Sequence, residues 1–333
     1  MKGRQACGTA LLLALGSAAP AGVQDRAPGA NPVVTTVFTA DPAPLVHDGR
    51  VYLYVGHDEA RGEEMFTMRE WLVFSSADMR NWTPHGPIMR ATDFAWAVRD
   101  AWAAEAIEKD GKFYFYASVE HDATHPGKAI GVAVSDSPTG PFIDARGSAL
   151  ITNAMTPQAE HSWDDIDPTV FTDDDGTSWL MWGNGNLYLA RLKPNMIEID
   201  GAIRQIELPH FEEGPWLHKR GDLYYLTYAS LDRAQNPNET ISYATAPAVT
   251  GPWTYRGQLT GSGENSFTIH PGIIAFQDRW YFFYHNAALT IGDQTGAIGR
   301  RAVAIEHLQY NPDGTIRPIR QTAQGVSAPP GAD

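Results

Sequence analysis

Asp110-Gly111-Lys112-Phe113-Tyr114-Phe115-Tyr116 reads as the turn and returning strand of a β-hairpin. Asp-Gly supplies the positive φ angles of a tight turn, and the aromatic run after it suits a pleated, half-buried surface. The same phrase recurs as Asp48-Gly49-Arg50-Val51-Tyr52-Leu53-Tyr54 and Asp175-Gly176-Thr177-Ser178-Trp179-Leu180-Met181. It returns again as Arg220-Gly221-Asp222-Leu223-Tyr224-Tyr225-Leu226 and Gln277-Asp278-Arg279-Trp280-Tyr281-Phe282-Phe283. A further apolar strand follows each hairpin: Leu72-Val73-Phe74, Ile130-Gly131-Val132, Leu187-Tyr188-Leu189, Ile241-Ser242-Tyr243 and Ala302-Val303-Ala304. Each unit has room for a four-stranded sheet with loops, and helical periodicity is scarce. A recurring unit sets the architecture, and radially repeated four-stranded sheets make a propeller. The expected fold is all-β, a five-bladed β-propeller. A two-sheet sandwich or jelly roll also strings hairpins together, but five matched units fit radial repetition better.

Around this repeat, the 333 residues, 43% of them apolar, suffice for one large core. Lys2 and Arg4, the apolar run Thr9–Leu15 and the small residues Ser17-Ala18-Ala19 or Ala19-Pro20-Ala21 read as a signal peptide over 1–21. That places the protein outside the cytoplasm, secreted or periplasmic. Ala, Gly and Pro mark 22–32 as a flexible leader and 321–333 as a flexible tail, leaving 33–320 for the propeller. The single cysteine, Cys7, falls inside the signal, so neither a disulfide nor a catalytic thiol is expected. A formal charge of -14 repels phosphate backbones and anionic lipid, which argues against nucleic-acid and membrane partners. No stretch after the N-terminus approaches the ~20 apolar residues of a membrane span.

In a propeller the innermost strand of each blade lines the central channel, so equivalent positions converge. Counting back eight or nine residues from each hairpin turn gives Asp41-Pro42, Asp167-Pro168, Glu213-Gly214-Pro215 and His270-Pro271. The second blade has Trp102-Ala103-Ala104-Glu105 there, with no acid at the matching slot. One Asp-Pro is an ordinary turn dipeptide. Three carboxylates and a histidine at one phase of four blades are not. Crowded carboxylates must spread their pKa values apart, and glycoside hydrolysis needs one acid protonated and another ionised.

With these residues in place, the chain resembles glycoside hydrolase family 43 from about Thr39 to about Ile316. Thr268-Ile269-His270-Pro271-Gly272-Ile273-Ile274, Tyr281-Phe282-Phe283-Tyr284-His285-Asn286, Arg300-Arg301-Ala302-Val303 and Tyr310-Asn311-Pro312-Asp313-Gly314-Thr315-Ile316 are further segments of the likeness. The resemblance implies an inverting hydrolase with Asp41 as general base and Glu213 as general acid. Asp167 is then the modulator, ionised beside Glu213 and raising its pKa. Glu212, Asp164 and Asp165 are neighbouring rivals, disfavoured by phase. By the same likeness His270 helps hold a structural calcium ion at the propeller centre through water, and no organic cofactor is implied. A hydrogen-bonded core histidine is the plainer reading.

Arg301 resembles an arginine that reaches a sugar hydroxyl; Arg300 is its rival, and strand alternation lets only one face inward. Trp102 and Trp96 are candidate sugar platforms, since flat rings suit the C–H faces of sugars, although large aromatics are more often core. Trp71 and Phe66, beside the insertion from Glu59 to Arg69, are candidates for a pocket wall, and His57-Asp58 for its opening. The expected substrate is a plant cell-wall polysaccharide or oligosaccharide, a hemicellulose such as arabinoxylan losing α-L-arabinofuranosyl or β-D-xylosyl groups. The run Met65–Trp71 and the short tail after the fifth blade favour the arabinofuranosyl, debranching type. An endo-acting arabinanase and a non-catalytic glycan-binding propeller are the alternatives. Sialidase turns are absent, and so is the Asn-Asp-Pro opening of fructan-cleaving enzymes.

Overall fold

The structure, a computed structural model, describes residues 26–157 and 161–330. The signal read over 1–21 lies outside the described residues. Blade one is β1 (Phe38–His47), β2 (Arg50–Asp58), β3 (Glu70–Ser76) and β4 (Thr83–Arg90) in that order. Blade two centres on β7 (Lys112–His121), paired with the short β5 (Ala97–Arg99) and β6 (Ala104–Lys109). It continues through β8 (Lys128–Ser135), whose outer partners are β9 (Ile143–Asp144) and β10 (Ile151–Thr152). Blade three is β11 (Thr169–Thr172), β12 (Ser178–Trp182), β13 (Leu187–Leu192) and β14 (Ile199–Ile206). Blade four is β15 (Phe211–Arg220), β16 (Leu223–Ser230), β17 (Thr240–Ala246) and β18 (Thr254–Thr260). Blade five has β19 (Gly272–Phe276) and β20 (Arg279–Asn286), then a small hairpin of β21 (Thr290–Ile291) and β22 (Gln294–Thr295), then β23 (Ala302–Leu308). Among the described residues only three short 3₁₀ turns are helical, and no helix is long and apolar enough to cross a membrane. The five-bladed propeller read from the repeats is the architecture found.

The repeated turns work as their residues dictate. Asp48 and Gly49, with φ of 45° and 69°, and Asp110 and Gly111, at 55° and 76°, both occupy the left-handed region of a two-residue turn. Gln277 and Asp278 do the same in blade five without glycine. The blade-three turn is longer: Thr172 pairs with Ser178 across Asp173–Thr177. That insertion explains the count of nine there.

Each sheet is sandwiched between two others, so both faces of the inner strands are buried. In β12, Leu180 and Trp182 pack toward blade two with Tyr116, Ile130 and Val132, while Met181 between them packs toward blade four with Leu226 and Tyr228. In β2, Leu53 meets Phe283 and Ile305 of blade five, and the next residue, Tyr54, meets Phe115 of blade two. The strict two-residue alternation of strands sends neighbours into different inter-blade layers. This is why the sequence shows apolar runs instead of an apolar–polar alternation.

The fifth sheet has three strands, one fewer than the repeat suggested. Its outer edge is covered by the chain's own beginning. Val33 N–H donates to Val303 O (2.9 Å), and the Asn31 side chain accepts from Ile305 N–H (2.8 Å) while donating to Ile305 O (3.2 Å). An exposed strand edge invites pairing with other chains, and this segment removes it. Residues 26–32 and 321–330, read from composition as leader and tail, are packed where described. Asn31 is buried, Thr322 caps the Glu306 carboxylate, and Val326 joins the layer of Phe74 and Phe283.

Candidate active site

The three acids sit where the inner strands are locally bent. Asp41 has φ of 53° and Asp167 of 57°, conformations that aspartate tolerates better than most residues. The β1–β2 register slips between Ala40 and Ala43, and β15–β16 slips between Glu213 and Trp216. A bulge re-aims a side chain, and Asp41-Pro42 and Gly214-Pro215 supply one on each strand. Gly214 has φ of 57°, and a Cβ there would stand 3.0 Å from the His270 ring. Only glycine lets the imidazole lie against that backbone.

His270 joins the three acids. Its Nδ1 lies 3.2 Å from Asp41 Oδ1, and its Nε2 lies 3.0 Å from Glu213 Oε1 and 3.5 Å from Asp167 Oδ2. Asp41, Asp167 and His270 line one central channel with Ala103, Glu105 and Trp216, and Glu213 reaches it through His270. Burial opposes a charge on the ring, but Asp167, Asp41 and Glu213 together raise its pKa to about 10. His270 is therefore an imidazolium, and both its nitrogens donate.

Asp41 is anchored through one oxygen. Oδ1 accepts from Arg301 Nη1 (3.1 Å) as well as from His270. Asp41 N–H donates to His285 Nδ1 (3.2 Å), so that nitrogen carries no proton and Nε2–H donates to Thr268 Oγ1 (3.0 Å). Burial, then the charges of Arg301 and His270, hold His285 neutral. Its closeness to Asp41 Oδ1 is not an ion pair.

Asp167 accepts Gly214 N–H at Oδ2 (3.1 Å), and its own N–H is held by Ser118 Oγ (2.8 Å). Glu213 Oε2 accepts from Asn184 Nδ2 (2.6 Å). Burial, with the negative charges of Glu213 and Asp41 adding to it, pushes Asp167 well above the carboxylate range despite His270. Burial also raises Glu213, but the His270 hydrogen bond and charge and the Asn184 amide outweigh it and hold Glu213 low. This reverses the expectation of an ionised Asp167 raising Glu213. The causes are burial at Asp167 and, at Glu213, the closer His270 together with the Asn184 amide. The two carboxyls share one imidazolium, so the proton between them belongs to the pair.

Arg301 faces inward and Arg300 outward, where it binds the carbonyls of Thr295 and Gly62. Arg301 is buried, however, and its guanidinium is already engaged by Asp58 (2.9 and 3.1 Å), Asp41 and Thr268. It holds the Asp41 carboxylate in place; it does not present itself at a surface. Trp96 is not on a sugar-facing surface either: it is buried between Phe94 and His121, with Nε1 on Asp144. Trp71 is core as well, donating to Trp102 O. Trp102 is half-buried, with Lys128 Nζ 3.6 Å above its ring and Phe66 against its edge. Phe66 in turn lies 5.1 Å from Arg301. Trp102, Phe66 and Met68 wall a cavity of ≈ 750 Å³ that runs out between blades one and two. Glu212 pairs with Arg233 (3.3 Å), and Asp165 is taken by Trp182 and Thr156 (2.8 Å each).

Three further residues of the site carry no assignment from the sequence. Glu105 enters the channel from blade two, past the slot where an acid was sought. Asn184 and the buried Glu239, which accepts Ile269 N–H (3.0 Å), come from polar loops with no periodic signal.

The donor set bears on calcium. His270 has no lone pair to give, because both nitrogens face carboxylates. Asp167, Glu213 and His270 do bring donor atoms within 4.8 Å of one another. Glu105 Oε2 is buried in the same channel without a hydrogen-bond partner, its carboxyl pushed up to about 8 by burial. Such oxygen donors fit a hydrated calcium ion, with His270 reaching it only through water.

Comparison with known proteins agrees with this geometry. The model of glycosyl hydrolases family 43 matches residues 30–316. An arabinoxylan arabinofuranohydrolase of Bacillus subtilis (strain 168) is 29% identical over 89% of this chain, which spans 65% of that protein's length. A xylosidase/arabinosidase of Bacteroides ovatus is 29% identical over 84% of this chain and 94% of its own. A β-xylosidase/α-arabinofuranosidase from a compost microbial metagenome, solved with xylotriose in a calcium-free form, superposes with a TM-score of 0.76. It is 30% identical, over 88% of this chain and 98% of its own.

Proposed function

The chain belongs to glycosyl hydrolases family 43, and on that premise we propose that it is an inverting glycoside hydrolase releasing pentose groups from hemicellulose. One observation carries the reading: carboxylates from three blades converge on the two nitrogens of a single imidazolium. Asp41 is the base. Arg301 and His270 fix its Oδ1, leaving Oδ2 to take a proton from water as that water attacks the anomeric carbon. Glu213 is the acid, passing the proton held by the Asp167–Glu213 pair to the leaving oxygen as the C–O bond breaks. The His270 ring stands between base and acid, which favours the ~6.5–9.5 Å spacing of inverting enzymes over the ~5–5.5 Å of direct attack. Arabinofuranosyl groups on arabinoxylan are the preferred substrate, entering beside Trp102 and Phe66. We also assign the protein to the cell exterior or periplasm, from Lys2, Arg4 and the apolar run after them.

Nitrophenyl α-L-arabinofuranoside and β-D-xyloside test the reading, with NMR of the first sugar released. The arabinoside is expected to give the β-anomer before mutarotation. Release of the α-anomer rejects the mechanism, and turnover of neither pentoside rejects the substrate class.

A calcium ion would be held by Glu105 and, through water, by His270, supplying positive charge to a channel crowded with carboxylates. Ligand bound only by the folded state stabilises it, by about 2.7 kcal/mol at a hundredfold excess over Kd. Millimolar calcium added to chelator-treated protein is therefore expected to raise Tm. An unchanged Tm removes the ion from the account.

A further inference from the structure

We propose that the face of the propeller opposite the hub carries a second carbohydrate site, built for a sugar ring that bears a carboxylate, a uronosyl group. A cavity of ≈ 360 Å³ lies there between blades four and five, lined by Arg220, Arg279, Arg317, Trp280, Tyr310 and Asp278. That volume suits a small ligand. β15 runs from Glu213 at the hub to Arg220 at this cavity, and seven residues of strand span about 23 Å. The two sites are separate, and this one does not rest on the hub's chemistry.

Its charge is what singles it out. The protein carries 14 more acidic than basic groups, yet three arginines and one carboxylate surround this cavity. Among the described residues none of the three has a carboxylate within 4.0 Å. Arg317 is held by the amide oxygens of Asn311 (3.2 Å) and Gln309 (2.9 Å), and Arg220 lies 4.3 Å over the Tyr310 ring. Neutral partners orient these guanidinium groups without neutralising them. Nearby, burial and the charges of Arg279 and Arg80 keep His307 neutral in spite of its contact with Ala328 O. The cavity is therefore electropositive and open.

Its floor is aromatic. Trp280 and Tyr310 meet edge to face at 5.3 Å, each half-buried and fixed by packing on its neighbours. With Arg220 over Tyr310, the flat Trp280 ring is the one to accept the C–H face of a sugar, and a guanidinium fork binds a carboxylate in two hydrogen bonds. Either element alone describes many surfaces. Together around one cavity they select an anionic sugar over a bare anion or a neutral sugar.

Titration calorimetry tests this with glucuronic acid, xylotriose, xylotriose carrying a glucuronosyl substituent, and inorganic phosphate. The Glu213→Gln protein is used so that nothing is cleaved. The substituted trisaccharide is expected to bind about tenfold more tightly than the plain one, a difference of ~1.4 kcal/mol. Adding Arg279→Gln and Arg317→Gln should abolish that difference. The same two changes in the otherwise native protein should leave kcat/KM on nitrophenyl arabinofuranoside unaltered. Glucuronic acid is also expected to bind, and to lose that binding when both arginines are replaced. Equal affinity for the two trisaccharides, or a difference that survives both substitutions, overturns the proposal. So does phosphate binding as tightly as glucuronic acid.

Discussion

Replacing Glu213 with glutamine is expected to lower kcat on arabinoxylan about 10³-fold, within the ~10²–10⁴ range of general acid–base catalysis. Glutamine keeps the size and the contact with Asn184 Nδ2 but has no proton to give the leaving oxygen. On a substrate with a good leaving group, such as a dinitrophenyl arabinofuranoside, protonation matters less and the loss should shrink to about tenfold or below. The split between substrates is the diagnostic result. Glu212→Gln is the control, because Glu212 pairs with the exposed Arg233, and a partly exposed pair of that kind is worth little. A Glu213→Gln protein that cleaves arabinoxylan at the native rate would remove Glu213 from the acid's role. An equal loss on both substrates would do the same.

Arg301→Met is expected to destabilise the fold by about 3–5 kcal/mol, because it strands two buried carboxylates. Asp58 binds the guanidinium through both oxygens and also accepts Arg301 N–H (2.8 Å), while Asp41 leans on Nη1. Asp58→Asn should be costly for the same reason. Combining the two should cost less than their sum by at least about 1 kcal/mol, since the second change removes a charge already orphaned by the first. Urea unfolding of the four proteins gives the cycle. Strict additivity, with each single variant costing under about 1 kcal/mol, would show that the pair is inert. It would also show that Arg301 is free to serve the substrate instead of holding Asp41.

Legibility differed by residue for physical reasons. Asp41, Asp167, Glu213 and His270 were recoverable because a hairpin turn fixes strand register, and radial repetition carries one register into every blade. Trp96 was misplaced because an indole satisfies a core and a sugar equally well in sequence. Only its neighbours Phe94 and His121 and the Asp144 acceptor distinguish the two. Strand alternation allowed only one of Arg300 and Arg301 to face inward without saying which; the buried Asp58 at the end of β2 and Asp41 take Arg301. Asn184 and Glu239 lie on loops, where no period ties position to direction.

Local chemistry, written along the chain, therefore determined the number of blades, the turn that starts each, and the four residues that share the channel. Where the protons sit was decided by the tertiary structure alone. Burial pushes Asp167 up, while the closer contact with His270 and the Asn184 amide hold Glu213 down. Through-space electrostatics depends on distance and burial, and neither quantity is encoded in the spacing of residues along a strand.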